Sequence, residues 1–209
     1  STGNEGVIEP GGVQWMTAGK GILHSEMPEQ EHGLLKGYQL WVNLPQDSKM
    51  VDPGYQEFPP ERTPLEERED GTTVRVISGT TNQGTKGPVE NRYTEPTYMH
   101  VSMPQKGTFI QDIPAGHNAF VYVIEGTVFV NSINEDGEQQ ASSVNEKHIG
   151  ILSQGEEETL SITTNGDAQF LLLAGKPLNE SVVRGGPFVM NTRKELMQAF
   201  ADYSNGVLA

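Results

Sequence analysis

The chain has 209 residues, enough for one large or two small domains with a sizeable buried core. Its formal net charge of -14 argues against a hold on nucleic acid, where basic side chains must displace the counterions of a phosphate backbone. The absence of cysteine excludes a disulfide framework and a thiolate metal site, and no apolar run of about 18 residues marks a membrane span.

Hydrophobic residues make up only 34% of the chain, against 24 glycines and 13 prolines. That mixture predicts short strands joined by turns, because both residues interrupt helices and serve turns. The opening Ser1 to Gly6 is polar and turn-like, with no charged leader followed by an apolar signal region. Next, Gly11, Gly12, Gly19 and Gly21 punctuate a short apolar run, so tight turns are expected to deliver His24 on a strand entering from a bend. His24 and Glu26 stand two apart, and on a strand such side chains leave the same face. One imidazole and one carboxylate converging on a point suit a divalent transition metal such as non-haem iron.

Met27-Pro28 should end that strand, since proline lacks the amide a central ladder needs. Glu29 to Lys36 reads as a charged connection with His32 as a solvated loop residue. Leu40, Val42 and Leu44 alternate with polar positions, which predicts a half-buried strand ending at Pro45. The proline-rich stretch from Pro53 to Pro64 and the run Glu66-Glu67-Arg68-Glu69-Asp70 read as a surface excursion with a solvated charged face. Thr72 to Ile77 is strand-like. The glycine-containing loop that follows lacks both the order of a phosphate-binding loop and a succeeding helix.

A new set of strands begins near Tyr98. Ala119 to Glu125 and Thr127 to Asn131 read as a strand, a Glu-Gly turn and a return strand, and Leu160 to Thr163 and Gln169 to Ala174 supply more. The tail changes period. Thr192 and Glu195 fit a capping box, and Leu196, Ala199, Phe200 and Tyr203 share one face of a helix stopping near Gly206.

The spacing of Gly12, Gly19 and His24 resembles the second conserved motif of the cupin barrel. Three blocks, Val13 to Pro28, Gln39 to Pro45 and Lys49 to Gln56, resemble the pirin family in wording and order, and the resemblance covers essentially the whole chain. It implies an all-β fold of two cupin-type β-barrels with a short C-terminal α-helix. Residues 1–96 would form the first barrel, incomplete at its N-terminus, and 97–209 the second barrel and the helix. In the second half Gly107, Pro114, Gly116, His117 and Glu125-Gly126 follow the order of the first cupin motif. The His-x-His of that motif is replaced by His117-Asn118-Ala119, and Gly150 to Gly155 holds no histidine. No metal is therefore expected there, and His117 is read as a strand-end residue satisfied by hydrogen bonds.

The resemblance further implies Fe(II) held by three histidines and one glutamate, with His24 and Glu26 as the last two ligands and two further histidines upstream of residue 1. Mn, Ni, Cu or Zn are alternatives, and the 209-residue chain alone is expected to be metal-poor. The implied activity is quercetin 2,3-dioxygenation with ring opening, Glu26 serving as the catalytic base on a flavonol. The alternatives are a non-enzymatic, redox-sensing regulator that binds a transcription factor or other protein, and a remnant without chemistry. The partners expected are accordingly a flavonol-like small molecule or a regulatory protein, without direct nucleic-acid or membrane contact. The location implied is cytoplasmic, or nuclear in a eukaryote.

Overall fold

The computed structural model describes residues 6–29, 32–133, 138–153 and 159–207. The chain is mostly β-sheet. In order it forms β1 (Val13–Thr17), β2 (Gly54–Phe58), β3 (Leu65–Glu67), β4 (Thr73–Ser78), β5 (Thr97–Met103), β6 (Thr108–Asp112) and β7 (Asn118–Glu125). There follow β8 (Thr127–Ile133), β9 (Gln139–Asn145), β10 (Ile149–Leu152), β11 (Thr159–Thr164), β12 (Ala168–Gly175), β13 (Val183–Gly185), β14 (Phe188–Met190) and one helix, α1 (Arg193–Ser204). No helix among the described residues is long and apolar enough to cross a membrane.

The strands group into compact units. One unit comprises Ile8–Gln14 and Glu57–Pro177; the other comprises Ser1–Val7, Trp15–Gln56 and Leu178–Ala209. The first contains an antiparallel six-stranded sheet ordered β10-β7-β12-β5-β4-β3 and an antiparallel four-stranded sheet ordered β6-β11-β8-β9. Period-two alternation explains how the two sheets share one core. Val74 and Val76, Met99 and Val101, Val121 and Val123, Phe170 and Leu172 project from the larger sheet into the same cluster as Phe109, Val128, Val144 and Ile162 from the smaller. Phe109 and Phe170 meet edge to face, their centroids 5.6 Å apart, a favoured aromatic geometry. The expected boundary at 96/97 falls immediately before β5, while β3 and β4, which precede it, are hydrogen-bonded into the same sheet as β5.

In the second unit the hairpin β13–β14 packs with α1. Phe188 lies 5.0 Å from Phe200, ring to ring. Gly185 faces the Leu196 and Phe200 side chains, so the strand lies close over the helix. The capping box forms as the sequence predicts: Glu195 N–H donates to Thr192 Oγ1 at 3.2 Å, and Thr192 N–H donates to Glu195 Oε2 at 2.7 Å.

Three local expectations are corrected. The alternating stretch at Leu40 to Leu44 forms no strand, and Trp41 is exposed. Alternation yields a strand only where a partner strand offers its ladder, and no described strand does so here. Secondly, β7 and β8 are not a hairpin. At Gly126, whose Cβ would collide with the Asp167 carbonyl, the chain leaves the six-stranded sheet and enters the four-stranded one.

The third correction concerns the charged run, which is solvated at Glu67, Glu69 and Asp70 but turns Glu66 and Arg68 inwards. Glu66 is only 5% exposed and accepts from Arg68 Nε at 2.9 Å and from the Thr81 hydroxyl. The Arg68 guanidinium lies 4.7 Å over the Phe109 ring. Burial alone would raise the Glu66 carboxyl, but hydrogen bonds from Thr81, Thr85 and Arg68 outweigh it and hold the group below its ordinary range.

Removing Glu66 strands a buried guanidinium, so Glu66→Ala is expected to cost on the order of 3–5 kcal/mol in denaturant unfolding. The contribution of the native carboxylate is complete above the unfolded value of about 4.3 and is lost as the pH falls through the depressed folded value. Acidification from pH 6 to pH 3 should therefore lower the melting temperature of the unaltered protein more than that of Glu66→Gln.

Candidate metal centre

The site is built from a turn that admits no side chain. Gly19 takes φ 52°, and a Cβ there would lie inside the Val51 carbonyl. The close approach lets Lys20 N–H donate to Val51 O at 2.8 Å, while Gly21 N–H closes the turn onto Ala18 O at 2.9 Å. Lys20 Nζ reaches Asp52 Oδ1 at 2.6 Å on the surface, and that bond draws the exposed Asp52 carboxyl below its ordinary range. The turn is thus laid against the 51–52 backbone and aims the chain towards His24.

From Gly21 to Glu29 no strand forms, so the period-two argument for His24 and Glu26 does not describe their backbone. Their side chains nevertheless meet: His24 Nε2 lies 3.7 Å from Glu26 Oε1, at 44% and 64% exposure. Gln39 Nε2 donates to the same Glu26 oxygen at 3.3 Å and orients the carboxylate. Two ligand atoms each about 2.1 Å from one ion can stand up to about 4.2 Å apart, so the pair fits two positions of a nitrogen–oxygen ligand set. Among the described residues no group of three or more histidine, aspartate or glutamate side chains gathers in a manner suited to a metal. The pair supplies part of a coordination shell, and the rest would come from other donors. His32 is exposed.

His117 differs from its sequence reading. Its backbone N–H is satisfied by Pro114 O at 3.0 Å, but Nδ1 is buried without a hydrogen-bond partner. Burial pushes its imidazole below the ordinary range, with Glu95 opposing and Lys176 adding to the effect.

Sequence reasoning missed Lys49, which is 8% exposed. Its ammonium donates to Asn43 Oδ1, and burial pushes its pKa down against the opposing fields of Glu180 and Glu195. Glu180 Oε2 accepts from Gln46 N–H at 2.8 Å and from Asn191 Nδ2 at 2.9 Å. A lysine set among Ser48, Met50 and Val51 carries no local sign of burial; only the return of residues 180–195 creates its environment.

Comparison with known proteins places this geometry in context. The Pirin family matches residues 1–42, and the Pirin C-terminal cupin domain matches residues 98–209. The chain is 46% identical over 206 residues to a pirin-like protein of Caulobacter vibrioides, an alignment spanning 99% of this chain and 71% of that protein. It is 41% identical over 206 residues to Pirin of Homo sapiens, spanning 97% and 67%. A 1.88 Å crystal structure of quercetin 2,3-dioxygenase from Acinetobacter baumannii superposes with a TM-score of 0.80 at 30% identity, covering all of this chain and 70% of that one. Matches at both ends of the sequence, with relatives aligned over nearly all of it, establish that the chain belongs to the pirin family of cupin proteins.

Proposed function

We propose that the protein is an oxidoreductase of the quercetin 2,3-dioxygenase type, acting on a flavonol with Fe(II) held in part by His24 and Glu26. The observation that carries this reading is the convergence of an imidazole and a carboxylate at 3.7 Å. Likeness to a quercetin 2,3-dioxygenase structure at 30% identity supports it.

When bound, the ion would supply a site that acidifies a coordinated hydroxyl and a redox partner for dioxygen. The remaining work falls to the chain. His24 would hold the ion through Nε2. Gln39 holds Glu26 Oε1 by a side-chain amide, which leaves Oε2 as the oxygen assigned to take the proton from the flavonol 3-hydroxyl. A carboxylate 64% exposed can pass that proton on to solvent. Dioxygen then opens the ring of the flavonol anion with loss of carbon monoxide.

Aerobic incubation with quercetin of the iron-loaded full-length protein, carrying the two further histidine ligands the family resemblance implies, should bleach the flavonol absorbance. Glu26→Ala should slow that loss by about 10²-fold or more, the usual contribution of a positioned base. Persistence of the absorbance with iron bound would remove the enzymatic reading and leave a redox-sensing regulator as the alternative. His24→Ala should lower the iron retained after dialysis, whereas His117→Ala should leave it unchanged; equal losses would put the site in the wrong half.

A further inference from the structure

Three places among the described residues set an aspartate or asparagine directly before a glycine: Asp70-Gly71, Asn165-Gly166 and Asn205-Gly206. Such a pair can close on itself, because the glycine carries no side chain to block its amide nitrogen from swinging onto the preceding side-chain carbonyl. Two of the three are held. Gly71 N–H donates to Arg68 O at 3.0 Å, and the Asp70 carboxylate accepts from Thr72 N–H at 2.9 Å and from Thr108 N–H at 3.2 Å. At the end of α1, Gly206 N–H donates to Tyr203 O at 3.1 Å and Asn205 N–H to Ala201 O at 2.9 Å.

Asn165-Gly166 differs on each count. It forms the exposed bend between β11, in the four-stranded sheet, and β12, in the six-stranded one. Neither the Asn165 side chain nor the Gly166 N–H has a hydrogen-bond partner among the described residues. A Cβ at Gly166 would meet nothing within 4 Å, so the bend has room to change shape. Its two flanks do not. The Thr164 hydroxyl donates between Gly166 O at 2.7 Å and Thr127 O at 2.9 Å, and Gln105 N–H donates to Asp167 Oδ1 at 2.9 Å. The Asp167 carbonyl is pressed against Gly126, where a Cβ would collide with it.

We propose that Asn165 is a site of spontaneous deamidation, converted through a cyclic imide to isoaspartate, and that this product loosens the crossing from β11 to β12. In the first step the Gly166 amide gives its proton to solvent base and its nitrogen bonds to Asn165 Cγ, while the side-chain nitrogen leaves as ammonia. Water then adds to one imide carbonyl and opens the ring. Opening at the main-chain carbonyl leaves the backbone running through the former side chain as isoaspartate; opening at the other gives aspartate. Ammonia leaves, water enters, and a carboxylate appears beside Asp167. No oxidant is needed. Isoaspartate lengthens the backbone by one methylene between two fixed points, Thr164 and Asp167, so the bonds that fix them are strained.

The test incubates the chain in mildly alkaline buffer, folded and in guanidinium chloride, and measures isoaspartate in two tryptic peptides. His148 to Arg184 reports Asn165, and Glu195 to Ala209 reports Asn205. Unfolded, the two sites should react alike, since neither amide is held. Folded, Asn165 should keep most of its rate while Asn205 slows by about 10-fold or more, because the Gly206 bond must open before its nitrogen can attack. Gly166→Ala, which the open bend accommodates, should lose most of the signal at 165 with the fold kept, because the added methyl hinders ring closure. The isoaspartate-rich fraction, separated on an anion exchanger by its added charge, should melt about 2–4 °C below the fresh protein. Asn165→Asp, which has the charge and the ordinary backbone, should melt with the fresh protein. Equal rates at the two sites in the folded chain, or a slowing of Asn165 on folding as large as that of Asn205, would overturn the assignment. An isoaspartate-rich fraction that melts no lower than Asn165→Asp would overturn the loosening.

Discussion

A side chain at position 19 would have to occupy the space of the Val51 carbonyl. Because none is there, two stretches of backbone come close enough for Lys20 N–H to bond Val51 O, and the chain beyond them is launched from a fixed point. The convergence of His24 and Glu26 is intelligible only in that light. Irregular backbone has many conformations, and ordering it costs about 1–2 kcal/mol per residue. A turn pinned at its root reduces the number of residues whose freedom must be overcome before two donors meet. The pair is thus held by the contacts of its neighbours rather than by a ladder of its own.

The larger sheet pair follows a different logic. Its order comes from a continuous apolar cluster reached by alternate residues of nine strands. Glu66 and Arg68 break the rule that such a region excludes charge, and they do so as a pair whose carboxylate is well satisfied while Arg68 Nη2 is buried without a hydrogen-bond partner. Threonine hydroxyls, a carbonyl and the face of Phe109 surround them. A buried pair of this quality adds specificity of register more than net stability, since the cost of desolvation nearly matches the attraction. It fixes β3 against the loop at Thr81, where hydrophobic burial alone would tolerate sliding.

Much of this architecture was legible in the sequence where local chemistry and tertiary structure agree. The capping box of Thr192 and Glu195 is a contact between residues three apart, and it appears as expected. The alternation of Met99, Val101 and Met103 likewise reports one buried face directly. The readings that failed concern relations between distant segments. Leu40 to Leu44 alternates as a strand does, but no described partner lies beside it. Glu125-Gly126 is a turn in either fold, and the sequence carries no sign that β8 departs for another sheet. The backbone at His24 and Glu26 does not satisfy the strand argument, whereas the motif shared with the pirin family points to the same two residues for an independent reason. Lys49 gave no signal, because burial of a lysine is a property of what surrounds it and not of its neighbours in the chain.

The bond from Gln46 N–H to Glu180 joins the 43–52 loop to the tail, and its two partners stand 134 residues apart in the chain, with the strands of the larger sheet pair between them in sequence. On the ribosome the first partner emerges early and waits while more than a hundred further residues are made. Throughout that interval the 43–52 loop lacks its bond to Glu180. The joint between this loop and the tail can therefore close only after the whole of the larger sheet pair has been made.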